Sequence, residues 1–234
     1  MILDRDIPSR TFRAVQVSEL ETRGPILGCL KLNSVLAYVM SAVIRPNEII
    51  PKVVPMTVDA LRLLDEQGFF ANDNCKHELI DGILIMVPPP GTGHQSTENR
   101  ALMALIDALS AAGLRKKYRV QTGGGIILNN HTNLGPDLMV VREPNGPKEW
   151  TADDVIIMIE IAWSSLTTDL GDKARRYAAV GIQEYWVLDV ADKALIMHRD
   201  PSATHYGSVT TLRAPANVSS LLEPKLSVAV ADLF

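Results

Sequence analysis

Val155-Ile156-Ile157-Met158-Ile159-Glu160-Ile161 is the stretch that decides the fold, because it surrounds a single glutamate with six apolar residues. A run this rich in β-branched residues is typical of a strand that is buried on both faces of a sheet. Alternation along the strand predicts that Ile156, Met158, Glu160 and Ala162 share one face. An ionised carboxylate is costly in such surroundings unless a cation pairs with it, so Glu160 requires an explanation.

A second acid stands at the start of another apolar strand, in Pro136-Asp137-Leu138-Met139-Val140-Val141. Two carboxylates about 5 Å apart repel by roughly 3 kcal/mol at an effective dielectric constant of about 20, so either one binds a proton or a cation lies between them. Two acids on neighbouring strands are a common arrangement for a hard divalent cation such as Mg²⁺ or Mn²⁺. The alternative is that Asp137 caps a turn and Glu160 pairs with an arginine.

The segment after this strand, residues 163–181, has the start and stop signals of a helix. Serine and threonine cluster where the helix should begin, and Gly181 stands where it should end. Lys173 falls in the early part of the helix, so it can point back towards Glu160 and contact a scissile phosphate or an attacking water. The alternative is an ordinary surface pair with Asp169, and the spacing alone does not decide between the two.

Several short motifs follow each other along more than half of the chain. They are Glu78-Leu79-Ile80-Asp81-Gly82, Pro88-Pro89-Pro90 with His94, Pro136-Asp137, Ile159-Glu160-Ile161, Ser164-Ser165, Asp169, Lys173, Tyr177, Gly181 and Glu184-Tyr185-Trp186. In their order and spacing they resemble the Uma-two type of putative restriction endonuclease, within the PD-(D/E)XK nuclease superfamily. The resemblance covers about residues 56–188. It implies metal-dependent phosphodiester chemistry on DNA, with Asp137 and Glu160 as the metal-binding acids.

The sequence departs from the superfamily pattern at one position. The superfamily lysine normally stands two residues after the second acid, where this chain has Ala162. In the Uma-two type a lysine on the following helix takes its place, and Lys173 is the residue that matches. The resemblance also makes Glu78 a candidate third, outer ligand, although an exposed residue on a hairpin strand is an equal interpretation. The main-chain carbonyl of Ile161 is a further candidate oxygen ligand.

Composition is consistent with a cytoplasmic enzyme. The net charge of −4 argues against strong non-specific binding to nucleic acids. The two cysteines, Cys29 and Cys75, have no metal-type spacing and suggest a reducing compartment. Residues 26–44 are mostly apolar, but Lys31 and neighbouring polar residues interrupt them, so we expect no stable membrane insertion. A homodimer is compatible with the sequence.

The predicted organisation is an N-terminal extension over residues 1–52, partly helical or disordered, and one domain over residues 53–234. Thr57 should cap a first helix, Asp81-Gly82 should close a hairpin, and a second helix should run from about Gln95 to Ala112. Two strands over residues 194–212 should form a closing antiparallel pair. These elements predict an α/β (α+β) fold, a restriction-endonuclease-like mixed β-sheet flanked by helices. Trp163 and Trp186 are interpreted as core aromatics.

The function predicted from these observations is that of a Mg²⁺-dependent DNA endonuclease. Asp137, Glu160, Lys173 and Glu78 are the catalytic candidates, and Asp137, Glu160 and Ile161 are the metal ligands. Two alternatives remain open at this point. One is a non-catalytic nucleic-acid-binding module that kept the fold, and the other is an interaction protein whose acids are structural.

Overall fold

The computed structural model describes residues 54–144 and 149–234. The predicted N-terminal extension, its apolar segment and Cys29 therefore lie outside the described residues, and the boundary at residue 52 stays a prediction. Within the described ranges, no helix is both long and apolar enough to cross a membrane.

The described residues form four α-helices and twelve strands. In chain order the elements are α1 (Val58–Glu66), β1 (Lys76–Ile80), β2 (Ile83–Val87), α2 (Thr92–Ala111), β3 (Tyr118–Thr122), β4 (Ile126–Asn129), β5 (Thr132–Leu134), β6 (Leu138–Arg142), β7 (Val155–Ala162), α3 (Leu166–Thr168), α4 (Ala174–Ala179), β8 (Glu184–Asp189), β9 (Ala194–Pro201), β10 (Tyr206–Leu212), β11 (Asn217–Ser219) and β12 (Ser227–Ala229). Short 3₁₀ turns occupy Ala152–Asp154 and Val230–Leu233, and a π-helical turn, Asp169–Lys173, joins α3 to α4 without a break.

A six-stranded sheet in the order β10-β9-β8-β7-β6-β3 forms the centre of the fold. Strands β7 and β8 run parallel, and the other neighbours are antiparallel. One face packs on α2 and the β11–β12 hairpin, and the other face packs on α4 and on strands β4 and β5. This mixed sheet flanked by helices confirms the predicted α+β class.

Strand β7 is buried along all eight of its residues, as its apolar sequence predicts. The predicted alternation is wrong at its start, however. Ile156 packs with Ile157 on the α2 face, whereas Met158 and Ala162 pack on the opposite face. The pairing with β6 shifts register at this point, and such a bulge inserts one extra residue and turns the next side chain to the other face.

Helix α2 begins at Thr92, three residues before the predicted start at Gln95. Ala101, Leu105 and Leu109 of this helix are fully buried against the central sheet. Because the helix begins early, His94 lies within its first turn and not in the preceding loop. The first turn of α2 thereby carries a titratable side chain towards the ends of the central strands.

A second sheet, in the order β2-β1-β5-β4, carries the predicted hairpin. Strands β1 and β2 pair antiparallel around Asp81-Gly82, which confirms the hairpin. Gly82 has a positive φ of 81°, and a Cβ there would lie within 2.7 Å of the Pro55 backbone. Only glycine fits this turn without displacing the chain before α1. The short strands β5, β11 and β12 were not predicted, because three-residue strands leave little periodicity in a sequence.

Candidate active site

Asp137 lies immediately before β6. It is next to Ile161 of the neighbouring strand β7, which extends beyond the residues that pair with β6. The Ile161 N–H donates to Asp137 Oδ2 over 2.8 Å, and His94 Nε2 lies 3.1 Å from the same oxygen. Burial raises the pKa of Asp137, but His94, the nearby Lys76 ammonium and the Ile161 N–H outweigh it, so the pKa lies below its ordinary value. Asp137 is therefore held as a carboxylate at the end of the sheet.

Glu160 is buried in β7, with 1% of its surface exposed. The Tyr177 hydroxyl donates to Oε1 over 2.7 Å, and Lys173 Nζ lies 2.9 Å from Oε2. Burial raises the pKa of Glu160 to about 7; Lys173 opposes this shift, and the Asp137 charge adds to it. Without a further cation, this carboxyl is only partly ionised at neutral pH.

Lys173 ends the π-helical turn, which directs its side chain inward. Its Nζ also lies 3.6 Å from Asp169 Oδ1, and Asp169 is buried and accepts a 2.5 Å hydrogen bond from Ser165. The pair with Asp169 that the alternative predicted is therefore present, but it is largely buried and not at the surface. Burial lowers the pKa of Lys173, but Glu160, Glu78 and Asp169 outweigh it, so the pKa lies above its ordinary value and the ammonium stays charged.

Glu78 on β1 is also buried, with 4% of its surface exposed, so the alternative of an exposed hairpin residue is wrong. The Gly135 N–H donates to Glu78 Oε1 over 3.2 Å, and Lys76 Nζ lies 3.4 Å from the same oxygen. Lys76 Nζ lies in addition 3.8 Å from Asp137 Oδ1. The two sheets thus meet at this point through one lysine shared between two acids.

All four predicted catalytic side chains line one cleft of about 980 Å³. Its lining includes four buried or half-buried carboxylates, those of Glu78, Asp137, Glu160 and Asp169, and two ammonium groups, those of Lys76 and Lys173. These acids outnumber the ammonium groups, and a divalent cation would offset the repulsion among them. The donor set is therefore suited to a hard cation.

The backbone of Ile161 faces the same place. The Ala162 carbonyl accepts from Val190 on the β8 side, and backbone groups of successive strand residues point to opposite sides. The Ile161 carbonyl therefore points towards the β6 side, where its own N–H meets Asp137. Within residues 54–144 and 149–234, no three His, Cys, Asp or Glu side chains converge into a metal-binding group. A set of two carboxylates and a carbonyl still fits Mg²⁺, which usually keeps waters or substrate oxygens among its ligands.

Three side chains of the cleft region were missed or misread in the sequence. Lys76 stands two residues before Glu78, so strand alternation alone would have placed it on the same face. Tyr177 stands one helical turn after Lys173, a spacing that puts both on one face of a helix. Trp163 is not a core aromatic: 61% of its surface is exposed, whereas Trp186 is buried as predicted.

Comparisons with known proteins agree with this architecture. A family model described as "Uma2: Putative restriction endonuclease" matches residues 59–231. A crystal structure described as a putative nuclease belonging to DUF820, from Anabaena variabilis, superposes with a TM-score of 0.56 at 19% sequence identity. The alignment covers 77% of this chain and 98% of that one. At this level of identity the likeness concerns the fold. A search of curated proteins gave no match.

Proposed function

Because the chain belongs to the Uma2 family of putative restriction endonucleases, we propose that it is a divalent-metal-dependent nuclease that hydrolyses phosphodiester bonds in DNA. A nuclease-like function follows from the family itself. The dependence on Mg²⁺ or Mn²⁺, the choice of DNA, the cytoplasmic location and the residue roles below are our proposal.

The observation that carries the proposal is the position of Lys173. Its Nζ lies 2.9 Å from Glu160, in the same cleft as Asp137, although the strand position usual for the superfamily lysine holds alanine. The π-helical turn supports this substitution, because such turns are frequent at functional sites and re-aim single side chains. A structural acid would also need a buried cation, so the presence of Glu78 and Asp137 in the same cleft is what supports a catalytic role for Lys173.

Asp137 and Glu160 would hold the cation, with the Ile161 carbonyl as a third oxygen ligand and Glu78 further out. A bound Mg²⁺ would supply Lewis-acid stabilisation of the charge that develops on the phosphate. Asp137 suits this role because the Ile161 N–H and His94 fix one of its oxygens. Tyr177 fixes Glu160 in the same way. These contacts keep the two ligands in place in the absence of substrate.

Lys173 would act on the substrate itself. Its ammonium remains charged in the cleft, so it can orient the attacking water or stabilise the non-bridging oxygens of the phosphate. An ammonium cannot bind a cation, so Lys173 takes no direct part in metal binding. Lys76, between Glu78 and Asp137, would limit repulsion among the acids while the cation is absent.

A plasmid-nicking assay tests the proposal. The full chain is incubated with supercoiled plasmid in Mg²⁺, in Mn²⁺ and in EDTA. We expect nicked product in the presence of either metal ion, none in EDTA, and none for Asp137→Asn. Asp65→Asn is the matched control, because Asp65 is an exposed acid at the rim of the same cleft. Cleavage in EDTA, or full activity of Asp137→Asn, would contradict the proposal, and metal binding without cleavage would favour a non-catalytic module.

A further inference from the structure

Trp163 is a largely exposed indole in the lining of the cleft. Its exposed fraction of 61% exceeds that of most large apolar residues in the described ranges. The other two tryptophans, Trp150 and Trp186, are buried at 6% and 1% exposure. Because a tryptophan has a large apolar surface, its exposure in a cleft indicates a ligand-binding surface.

Trp163 lies close to the proposed site. It follows the last residue of β7 and stands three residues after Glu160, which corresponds to about 10 Å along an extended chain. Its side chain lines the same cleft as Asp137 and Lys173. A phosphodiester held at Glu160 would therefore have one of its neighbouring nucleosides beside the indole.

The indole is held in place by the start of α2. A Cβ on Gly93 would lie within 2.9 Å of three carbons of the Trp163 six-membered ring, so the ring packs directly on the glycine backbone. This contact covers one part of the ring and leaves the remainder open to the cleft. An aromatic surface fixed in this way loses little conformational entropy when a planar ligand stacks on it.

The cleft is lined by more acidic than basic side chains, so a nucleic acid would need contacts there that do not depend on positive charge. Eight acidic side chains line the cleft, against three lysine or arginine side chains. Of these three cations, Arg62 is paired with Glu149 and Lys173 with Glu160. Nucleic-acid affinity normally comes from lysine and arginine contacts to phosphates, which this cleft largely lacks. Stacking on an aromatic ring provides affinity without positive charge.

We propose that Trp163 is a stacking platform for an unpaired nucleobase next to the scissile phosphate. In an intact duplex both faces of a base are covered by its neighbours, so the platform can accept only a single-stranded, frayed or extruded base. The preferred substrate is accordingly single-stranded nucleic acid, or a duplex with an unpaired end, in preference to a continuous duplex. This inference rests on the proposed nuclease function for the position of the phosphate.

Binding without cleavage tests this inference. The probe is a fluorescein-labelled single strand of about 16 nucleotides, within the site size of single-strand binders, and the same strand annealed to its complement. Both are titrated with the full chain in Ca²⁺ and followed by anisotropy. We expect tighter binding of the single strand, and a loss of about ten- to hundredfold for Trp163→Ala, the range expected for one stacked base. Trp163→Phe should keep most of the affinity.

Val209→Ala is the control, because Val209 on β10 is 57% exposed but does not line the cleft. It should bind both probes like the wild type, and Trp163→Ala should lose much less affinity for the duplex than for the single strand and leave the calorimetric Mg²⁺ affinity unchanged. Binding of the single strand should quench the tryptophan fluorescence of the wild type. Trp163→Ala should show no such quenching, since its remaining tryptophans are buried. Equal single-strand affinity of the wild type and Trp163→Ala overturns the inference, as does tighter binding of the duplex.

The failure of this inference differs from the failure of the proposed function. Metal-dependent cleavage with unchanged binding by Trp163→Ala would refute the platform and leave the nuclease proposal intact. Single-strand binding that depends on Trp163, together with no cleavage in any metal ion, would support the platform and refute the nuclease proposal.

Discussion

Glu160→Gln should stabilise the metal-free protein, although it removes a residue at the centre of the site. Burial makes ionisation of Glu160 unfavourable, Lys173 offsets this only in part, and Asp137 adds repulsion, so the pKa rises from 4.5 to about 7. This difference makes the ionised form about 3 kcal/mol less stable in the fold than in the unfolded chain. Glutamine has nearly the same shape and carries no charge, so 3 kcal/mol is the upper limit of the gain.

The sign of the effect fixes its pH dependence. The folded pKa of Glu160 lies above the unfolded value, so the folded state binds the proton more tightly. The contribution of this group to stability is therefore present below about pH 4.5 and is lost as the pH rises towards 7. Glutamine does not ionise, so the Glu160→Gln variant keeps its stability as the pH rises. We expect its advantage to be small at pH 5 and to approach about 2–3 kcal/mol at pH 8.

Urea unfolding in EDTA at pH 5 and pH 8 measures this difference. Asp137→Ala is the informative comparison, because simple repulsion between the two acids would make either replacement stabilising. Asp137 instead accepts hydrogen bonds at one oxygen, and its pKa lies below the ordinary value. We expect Asp137→Ala to lower the free energy of unfolding by about 1–3 kcal/mol, because the buried Ile161 N–H loses its acceptor. Destabilisation by Glu160→Gln at pH 8 would show that the ionised Glu160 carboxylate stabilises the fold and is not a source of strain.

Two further predictions concern the support of the site and the domain boundary. Tyr177→Phe removes the hydroxyl that donates to Glu160 Oε1 and should weaken Mg²⁺ binding by about tenfold in calorimetry, with a loss of about 1–3 kcal/mol of stability because a buried acceptor loses its donor; an unchanged affinity would show that the hydroxyl does not position Glu160. Removal of residues 1–52 should leave a folded domain with a cooperative melt, and aggregation or loss of the melt would move the boundary into the predicted extension.

The central elements of the fold could be predicted because their sequences are unambiguous. The apolar run of β7, the Asp81-Gly82 turn and the antiparallel pair β9–β10 all appear in the structure as predicted. The face of Ile156 could not be predicted. It depends on a bulge that arises from pairing with β6, and a partner strand is not visible in the sequence of β7 alone.

The four site residues proposed from the sequence lie in one cleft, but the contacts that each of them makes could not be predicted. The family resemblance and the strand patterns led to Asp137, Glu160, Lys173 and Glu78, which the fold brings into one cleft. The contacts around them depend on geometry that local patterns do not contain. The π-helical turn changes the direction of Lys173 relative to a regular helix.

Trp163 shows a different limit of sequence-based prediction. Tryptophan residues are on average well buried in proteins. Trp163 is exposed because it follows the last residue of β7. Its neighbour in the sequence, Ala162, is buried in the same strand end. The change from buried strand to exposed loop occurs between two adjacent residues, and no periodicity marks that point.

The cleavage rate of Lys173→Met at saturating Mg²⁺ is the decisive measurement for the proposed nuclease, since Lys173 links the proposed metal ligands to the substrate. Methionine keeps most of the length and removes the charge. We expect the wild type to nick supercoiled plasmid and the variant to be slower by about two to four orders of magnitude, as expected for the loss of one positioned catalytic group. A variant that cleaves at the wild-type rate would rule out a catalytic role for Lys173, and a wild type that does not cleave at all would rule out the nuclease function.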